Sequence, residues 1–141
     1  FNSAGHNPVP AEPNLEPPVS GGRITARTWE IYTNNLATIV QTCQRQGIKL
    51  TFVCFPYSPE LRRELASTVL YGELTGREIA DGIDQCNLLM RKLGRQEEIN
   101  VVEPVLPATM DIWHDYCHLN DQGTDLLAQC VAPRSYAPAP Q

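Results

Sequence analysis

Residues Ile48 to Phe55 form an almost continuous run of apolar, β-branched and aromatic side chains, and the run ends at Pro56. Such a run is typical of a strand that is buried on both faces, as in a parallel sheet. A strand of this kind needs helices to cover it on either side. No other segment constrains the fold of this chain as strongly.

Segments with the apolar periodicity of a helix precede and follow this run. Over Thr28–Gln46 the apolar residues recur every three or four positions, and Gly47 follows as a left-handed helix cap. Residues Thr75–Glu78 match a capping box, which predicts a second amphipathic helix that ends before Gly94. The two faces of the buried strand can therefore be covered.

Three shorter segments complete the predicted order. We expect a short helix over Ser58–Tyr71, with Pro59 in its first turn, a second buried strand over Ile99–Val102, and a last helix capped by Asn120. The order helix, strand, helices, strand, helix predicts the α/β class with a parallel sheet. We expect one domain over residues 1–132 and a disordered, proline-containing tail over residues 133–141.

The bulk composition excludes two classes of partner. The chain has a formal net charge of −5 and no basic cluster, so it is not expected to bind nucleic acid, whose phosphates must be neutralised. No apolar stretch approaches the ~20 residues that a membrane-spanning helix needs.

The five cysteines include no C-x-x-C pair, and their odd number argues against a full disulfide framework.

The segment from Asp111 to Gly123 carries the strongest chemical signal, and it follows the last predicted strand, where active sites of α/β sheets gather. Histidine exchanges a proton near neutral pH, and a nearby carboxylate can fix its tautomer. Two pairs in this segment share the D-x-x-H spacing, Asp111 with His114 and Asp115 with His118. We favour the second pair, because His118 directly precedes the capped helix, whose packing can hold the ring.

A second motif, Gly5-His6-Asn7, lies near the start of the chain. Phe1–Ala4 can form the end of a strand, and Gly5 lets the backbone turn sharply after it. An asparagine amide at the carboxyl end of a strand can donate a hydrogen bond to a developing oxyanion. Asn7 is therefore a candidate oxyanion donor.

Together the two motifs resemble the SGNH (GDSL-type) hydrolase family. Gly5-His6-Asn7 matches its third block, and Asp115-Tyr-Cys-His118-Leu119, with Gly123 in the following helix, matches its fifth block. The intervening helices and strands are similar to the family's order, so the resemblance covers residues 1 to about 131. It implies a flavodoxin-like three-layer α/β/α fold with a parallel sheet, of which this chain lacks the N-terminal strands.

The resemblance also implies residue roles and a substrate class. His118 would be the general base, Asp115 its orienting partner, and Gly5 and Asn7 part of the oxyanion hole. The reaction would be serine acylation by a short-chain ester, such as an acetyl ester of a carbohydrate or lipid-like alcohol, with no metal or organic cofactor.

The family's nucleophile lies in a Gly-Asp-Ser block, and neither this block nor the second-block glycine is present. No serine of the chain stands in that context, so none is assigned as the nucleophile. We therefore expect this chain to be the C-terminal portion of a longer protein. Alone it should be inactive on esters, because acyl-enzyme turnover needs the nucleophile. A sheet without its early strands would also expose an edge that favours self-association.

Other interpretations compete with the hydrolase. His114 and His118 are four residues apart with Asp111, Asp115 and Cys117 nearby, and on a helix such a pair could share a zinc ion. The segment reads as a loop, however, and no distant Cys or His pair completes the ligand set. A non-catalytic binding module or pseudoenzyme of the same fold is a further alternative. A cysteine hydrolase built on Cys117 is less favoured, because its histidine is usually brought in from a distant segment.

Overall fold

The computed structural model describes residues 25–135, which form a mixed α/β structure. In chain order its helices and strands are α1 (Ala26–Arg45), β1 (Thr51–Val53), β2 (Val69–Tyr71), β3 (Leu74–Thr75), α2 (Gly76–Gln96), β4 (Asn100–Val102) and α3 (Asp121–Ser135). Two short 3-10 helices lie at Pro59–Arg62 and Met110–Ile112. Among the helices of the described residues, none has the length and apolar character needed to span a bilayer.

Strands β1 and β4 form a parallel pair, as the sequence predicts, with Phe52 opposite Val101. Each strand has three residues, so β1 is shorter than the apolar run that predicted it. Within residues 25–135 these two strands pair only with each other. The carboxyl ends of parallel strands lie at the same edge of a sheet, so the segments that follow β1 and β4 start side by side.

The two long helices begin and end at the predicted caps or close to them. Thr75 accepts a hydrogen bond from the Glu78 amide, and the Glu78 carboxylate accepts one from the Thr75 amide, which is the predicted capping box. Gly47 follows α1 with a φ of 65°, in the left-handed region. Helix α2, however, continues past Gly94 to Gln96. Gly94 packs against β4 instead, where a Cβ atom would collide with the side chain of Val101.

The prediction of a helix over Ser58–Tyr71 is wrong for most of that segment. Only Pro59–Arg62 is helical, as a 3-10 turn, and β2 and β3 then form an antiparallel hairpin. Gly72 and Glu73 both have positive φ, at 53° and 77°, which are the values of a type I′ hairpin turn. The β-branched and aromatic residues around Val69 suit a strand better than a helix.

The core lies between α1, α2 and the parallel strands. Its buried members are Trp29, Leu36, Val40, Phe52, Leu89, Met90 and Leu93. Helix α2 also packs against the 3-10 turn at Pro59–Arg62, whose Leu61 is fully buried, and the Arg62 guanidinium forms ion pairs with Asp81 and Asp84 of α2. These contacts hold the segment after β1 against α2.

Asn87 of α2 ties the end of β1 to this helix. Its side chain is buried, accepts a hydrogen bond from the Phe55 amide at 2.8 Å and donates one to the Phe55 carbonyl at 3.0 Å. One side chain thereby satisfies both backbone groups of the residue at which the chain leaves the sheet. Phe55 therefore has a fixed position relative to α2.

We predict that Asn87→Ala lowers the free energy of unfolding by about 2 kcal/mol, because it leaves a partly buried amide and carbonyl without partners. Equilibrium urea denaturation measures this change. Asn35→Ala, at an exposed position of α1, is the matched control and should change stability by no more than about 0.5 kcal/mol. Equal effects of the two variants would contradict the structural role of Asn87.

Candidate functional site

The motif segment folds as a tight backbone loop between the second 3-10 turn and α3. Trp113 and Leu119 form an antiparallel bridge, and the His114 amide donates to the His118 carbonyl at 2.8 Å. The Asn120 amide donates to the Ile112 carbonyl at 3.1 Å, which closes the base of the loop. We call residues 113–119 the dyad loop. Its conformation is set by its own backbone hydrogen bonds.

The Asp115 carboxylate organises the tip of the dyad loop. Its Oδ1 accepts hydrogen bonds from the amides of Cys117 and His118, both at 2.8 Å. Its Oδ2 lies 2.7 Å from Nδ1 of the His118 ring. The Cys117 amide and then the His118 ring are the main causes that hold the pKa of Asp115 well below its usual range. The carboxylate is therefore an anion with a fixed orientation.

The geometry leaves one ring nitrogen of His118 available. Nδ1 faces the carboxylate, while Nε2 has no hydrogen-bond partner among the described residues. The His118 side chain is 71% exposed, so a reactant can approach Nε2 from solvent. A carboxylate that accepts the Nδ1 proton keeps the lone pair on Nε2, and this is the tautomer that a general base needs.

The structure separates the two D-x-x-H pairs. Asp115 and His118 are in contact, as predicted, whereas the Asp111 carboxylate accepts a hydrogen bond from the Thr109 hydroxyl at 3.0 Å. The exposed His114 ring contacts no carboxylate among residues 25–132. The chain between His114 and His118 is a loop and not a helical turn, so these residues are not arranged as a helical zinc pair.

Helix α3 anchors the dyad loop through its first turn. The Asn120 side chain accepts a hydrogen bond from the Gly123 amide at 3.0 Å, which is the predicted cap, and also donates to the Asp111 carbonyl. A Cβ atom on Gly123 would collide with the Ile112 carbonyl and with the Leu119 side chain. The glycine at this position lets α3 approach the 3-10 turn closely. His118 is thus held from both ends of the loop.

An open depression adjoins His118. It has a volume of about 590 Å³ and is lined by His114, His118, Leu119, Asn120, Asp121 and Gln122. A depression of this size falls within the range of small-molecule sites, although most such sites are more enclosed. The arrangement can accept a proton from a small molecule or side chain that approaches along this surface.

Cys117 adds a third functional group to the dyad loop. Its Sγ lies 3.6 Å from Nδ1 of His118. Partial burial, and then the negative charge of Asp115, raise the pKa of the Cys117 thiol, so the group is not an activated nucleophile. The ligand atoms of Asp115, Cys117 and His118 lie within 4.8 Å of one another.

The remaining predicted site residues are not brought together by the described structure. Gly5 and Asn7 lie outside residues 25–135, so their position relative to His118 stays a prediction. Among residues 25–132, no serine hydroxyl forms a hydrogen bond with His118. The fully buried Ser58 places its hydroxyl 3.0 Å from the sulfur of Met110 instead.

Sequence reasoning missed the contact that joins the dyad loop to the segment after β1. The Ser58 amide donates to the Tyr116 carbonyl at 2.9 Å, across 58 positions of the chain. Both partners are backbone groups, which every residue type carries, so no motif in the sequence could indicate the pairing. This contact joins the dyad loop, which comes after β4, to the segment that follows β1.

Comparison with protein-family models, with curated proteins and with solved structures found no match to this chain. The resemblance to SGNH hydrolases therefore rests on the residues of the two motifs alone. The structure supports the geometry of the dyad loop.

We predict that Gly123→Ala destabilises the protein by about 2 to 3 kcal/mol, because the added methyl group forces α3 away from the Ile112 carbonyl. Thermal denaturation followed by circular dichroism measures the loss. Thr124→Ala, at the next and exposed position of α3, is the control and should leave Tm nearly unchanged. A Gly123→Ala protein with wild-type Tm would show that the close approach is not needed.

The lowered pKa of Asp115 predicts a pH-dependent contribution to stability. For a depressed carboxyl pKa, the contribution is complete above the ordinary aspartate value of about 4 and is lost as the pH falls below it. Asp115→Asn keeps an oxygen acceptor but removes the charge. We expect the variant to be less stable than wild type by about 1 kcal/mol at pH 6, a modest figure because solvent screens this partly exposed group.

Urea denaturation at several pH values checks this expectation. The stability difference between wild type and Asp115→Asn should shrink as the pH falls from about 5 to about 3. Asp125→Asn, which removes an exposed carboxylate from α3, should show no such convergence. A difference that stays constant down to the lowest pH would mean that the charge of Asp115 does not stabilise the fold.

Proposed function

We propose that this chain is part of an SGNH-type serine hydrolase that cleaves short acyl esters. In it His118 is the general base, and the Asp115 carboxylate orients the His118 ring. The observation that carries the proposal is the 2.7 Å contact between Asp115 Oδ2 and His118 Nδ1, with Oδ1 held by two amides and Nε2 free. A carboxylate fixed in this way holds the ring so that a single nitrogen faces a reactant, which is what a general base needs.

The location of the pair also supports the proposal. The dyad loop follows β4 and touches the segment after β1, so it lies beside the carboxyl ends of two parallel strands. Ligands of open α/β sheets bind at this edge. The proposal includes a flavodoxin-like, three-layer α/β/α fold in which further parallel strands extend the β1–β4 pair.

In the proposed reaction a serine hydroxyl attacks the ester carbonyl while His118 Nε2 takes its proton. The Asp115 carboxylate stabilises the imidazolium that forms, and Nε2 then returns the proton to the leaving alcohol. Water repeats the sequence on the acyl-enzyme. The proposal places the serine nucleophile outside residues 1–141, and it assigns Gly5 and Asn7 to the oxyanion hole.

We predict that the protein encoded by the whole reading frame hydrolyses p-nitrophenyl acetate and that His118→Ala lowers kcat by about 10²-fold or more, since the general base is lost. His114→Ala is the matched control, because this exposed ring borders the same depression and has no carboxylate partner among residues 25–132. It should retain at least half of kcat. The isolated chain Phe1–Gln141 should show no turnover that depends on His118.

Two results would contradict the proposal. Equal losses in His114→Ala and His118→Ala would show that the dyad has no special role. A folded whole protein with no His118-dependent hydrolysis of any short acyl ester would favour a non-catalytic binding module with the same loop.

A further inference from the structure

The dyad loop holds three potential metal ligands of different chemistry within four residues of chain. These are the Asp115 carboxylate, the Cys117 thiol and the His118 imidazole, whose ligand atoms lie within 4.8 Å of one another. A carboxylate oxygen, a sulfur and an imidazole nitrogen together match the ligand preferences of zinc and similar borderline-soft cations. The proposed hydrolase reaction uses Asp115 and His118 but leaves Cys117 without a role.

The distances are compatible with one ion shared by the three groups. Tetrahedral zinc with ordinary bond lengths separates a bound sulfur from a bound nitrogen by about 3.6 Å. Cys117 Sγ and His118 Nδ1 are 3.6 Å apart. Asp115 Oδ2 is 2.7 Å from Nδ1, so the carboxylate must retreat by less than about 1 Å to give the ligand spacing of the ion.

The backbone of the loop can stay in place when an ion enters. Asp115 Oδ1 is held by the amides of Cys117 and His118, and this leaves Oδ2 free to exchange the Nδ1 proton for a cation. The loop is further fixed by the His114 amide and the Trp113–Leu119 bridge. The ligands are therefore preorganised, which reduces the entropic cost of binding. The exposed side of His118 leaves room for water as a fourth ligand.

We propose that Asp115, Cys117 and His118 bind a zinc-like divalent cation, and that this ion replaces the hydrogen bond between Asp115 and His118. The Cys117 thiol releases its proton to solvent and its sulfur binds the ion. His118 binds the ion through Nδ1, and the proton that Nδ1 carried moves to Nε2 through solvent. Asp115 Oδ2 exchanges its N–H partner for the ion.

Binding would change the state of the proposed base. With the ion on Nδ1, the neutral imidazole carries its proton on Nε2 and has no lone pair left to accept one. The cation would therefore inhibit the proposed hydrolysis without occupying the ester site. This consequence rests on the proposed function, whereas the binding site itself does not.

Zinc titration of the reduced chain by calorimetry tests the site. We expect one ion per chain with a micromolar or lower Kd, at least about tenfold weaker binding in Cys117→Ser, and unchanged binding in the control variants His114→Ala and Cys130→Ser. The serine variant keeps the amide that bonds to Asp115, so the loop conformation is preserved. Absence of saturable binding, or wild-type affinity in Cys117→Ser, would overturn the proposal. So would a loss in His114→Ala, which would assign the ion to a pair of histidines.

Alkylation of the unmodified protein gives a second measurement that needs no variant. Iodoacetamide labelling mapped by peptide mass should be slowed at least about tenfold by zinc at Cys117 and unchanged at Cys130, because a metal-bound thiolate is protected. Equal labelling of Cys117 with and without zinc would overturn the site. Both measurements use no ester. Zinc binding by a whole protein that hydrolyses no short acyl ester when it is free of metal would reject the proposed function alone, and metal-free hydrolysis without zinc binding would reject the site alone.

Discussion

The parallel pairing of β1 with β4 is the constraint on which the described structure depends. Parallel strands cannot be joined by a tight turn, so α2 must carry the chain back across the sheet. Its buried face then meets α1 over Phe52 and forms the core. The same pairing brings the segments after both strands to one edge, where the Ser58 amide meets the Tyr116 carbonyl. The location of the dyad loop follows from this topology.

The orientation of the dyad follows from local chemistry instead. Asp115 accepts hydrogen bonds from two amides of its own loop, and these direct its second oxygen to the His118 ring. The charge of the carboxylate is favoured by the same contacts that fix its position. The pairing of the strands therefore determines where the dyad loop lies, and a few residues within the loop determine the orientation of the His118 ring. Cys117 lies within reach because the turn that directs the carboxylate also brings its thiol beside the ring.

Features that depend on neighbouring residues were predictable from the sequence. The Thr75–Glu78 capping box, the cap at Asn120 and the choice of Asp115 over Asp111 as the partner of a histidine all rest on contacts within a few positions. The helix predicted over Ser58–Tyr71 is wrong where β2 lies, because proline at the start of the segment favours a helical turn that ends after four residues. The packing role of Gly94 depends on Val101, which lies in another element, and glycine alone does not distinguish a helix end from a close approach. The proposed oxyanion donors Gly5 and Asn7 lie outside the described residues 25–135, so their position relative to His118 stays a prediction.

The separation of Asp115 and His118 along the chain has a consequence for folding. Closing so short a loop costs little chain entropy, so the pair belongs to the most local class of contacts in the molecule. It can form transiently while the distant partners Ser58 and Tyr116 are still apart. The loop reaches its final place only when those long-range contacts form, so its docking follows closure of the sheet and not formation of the pair.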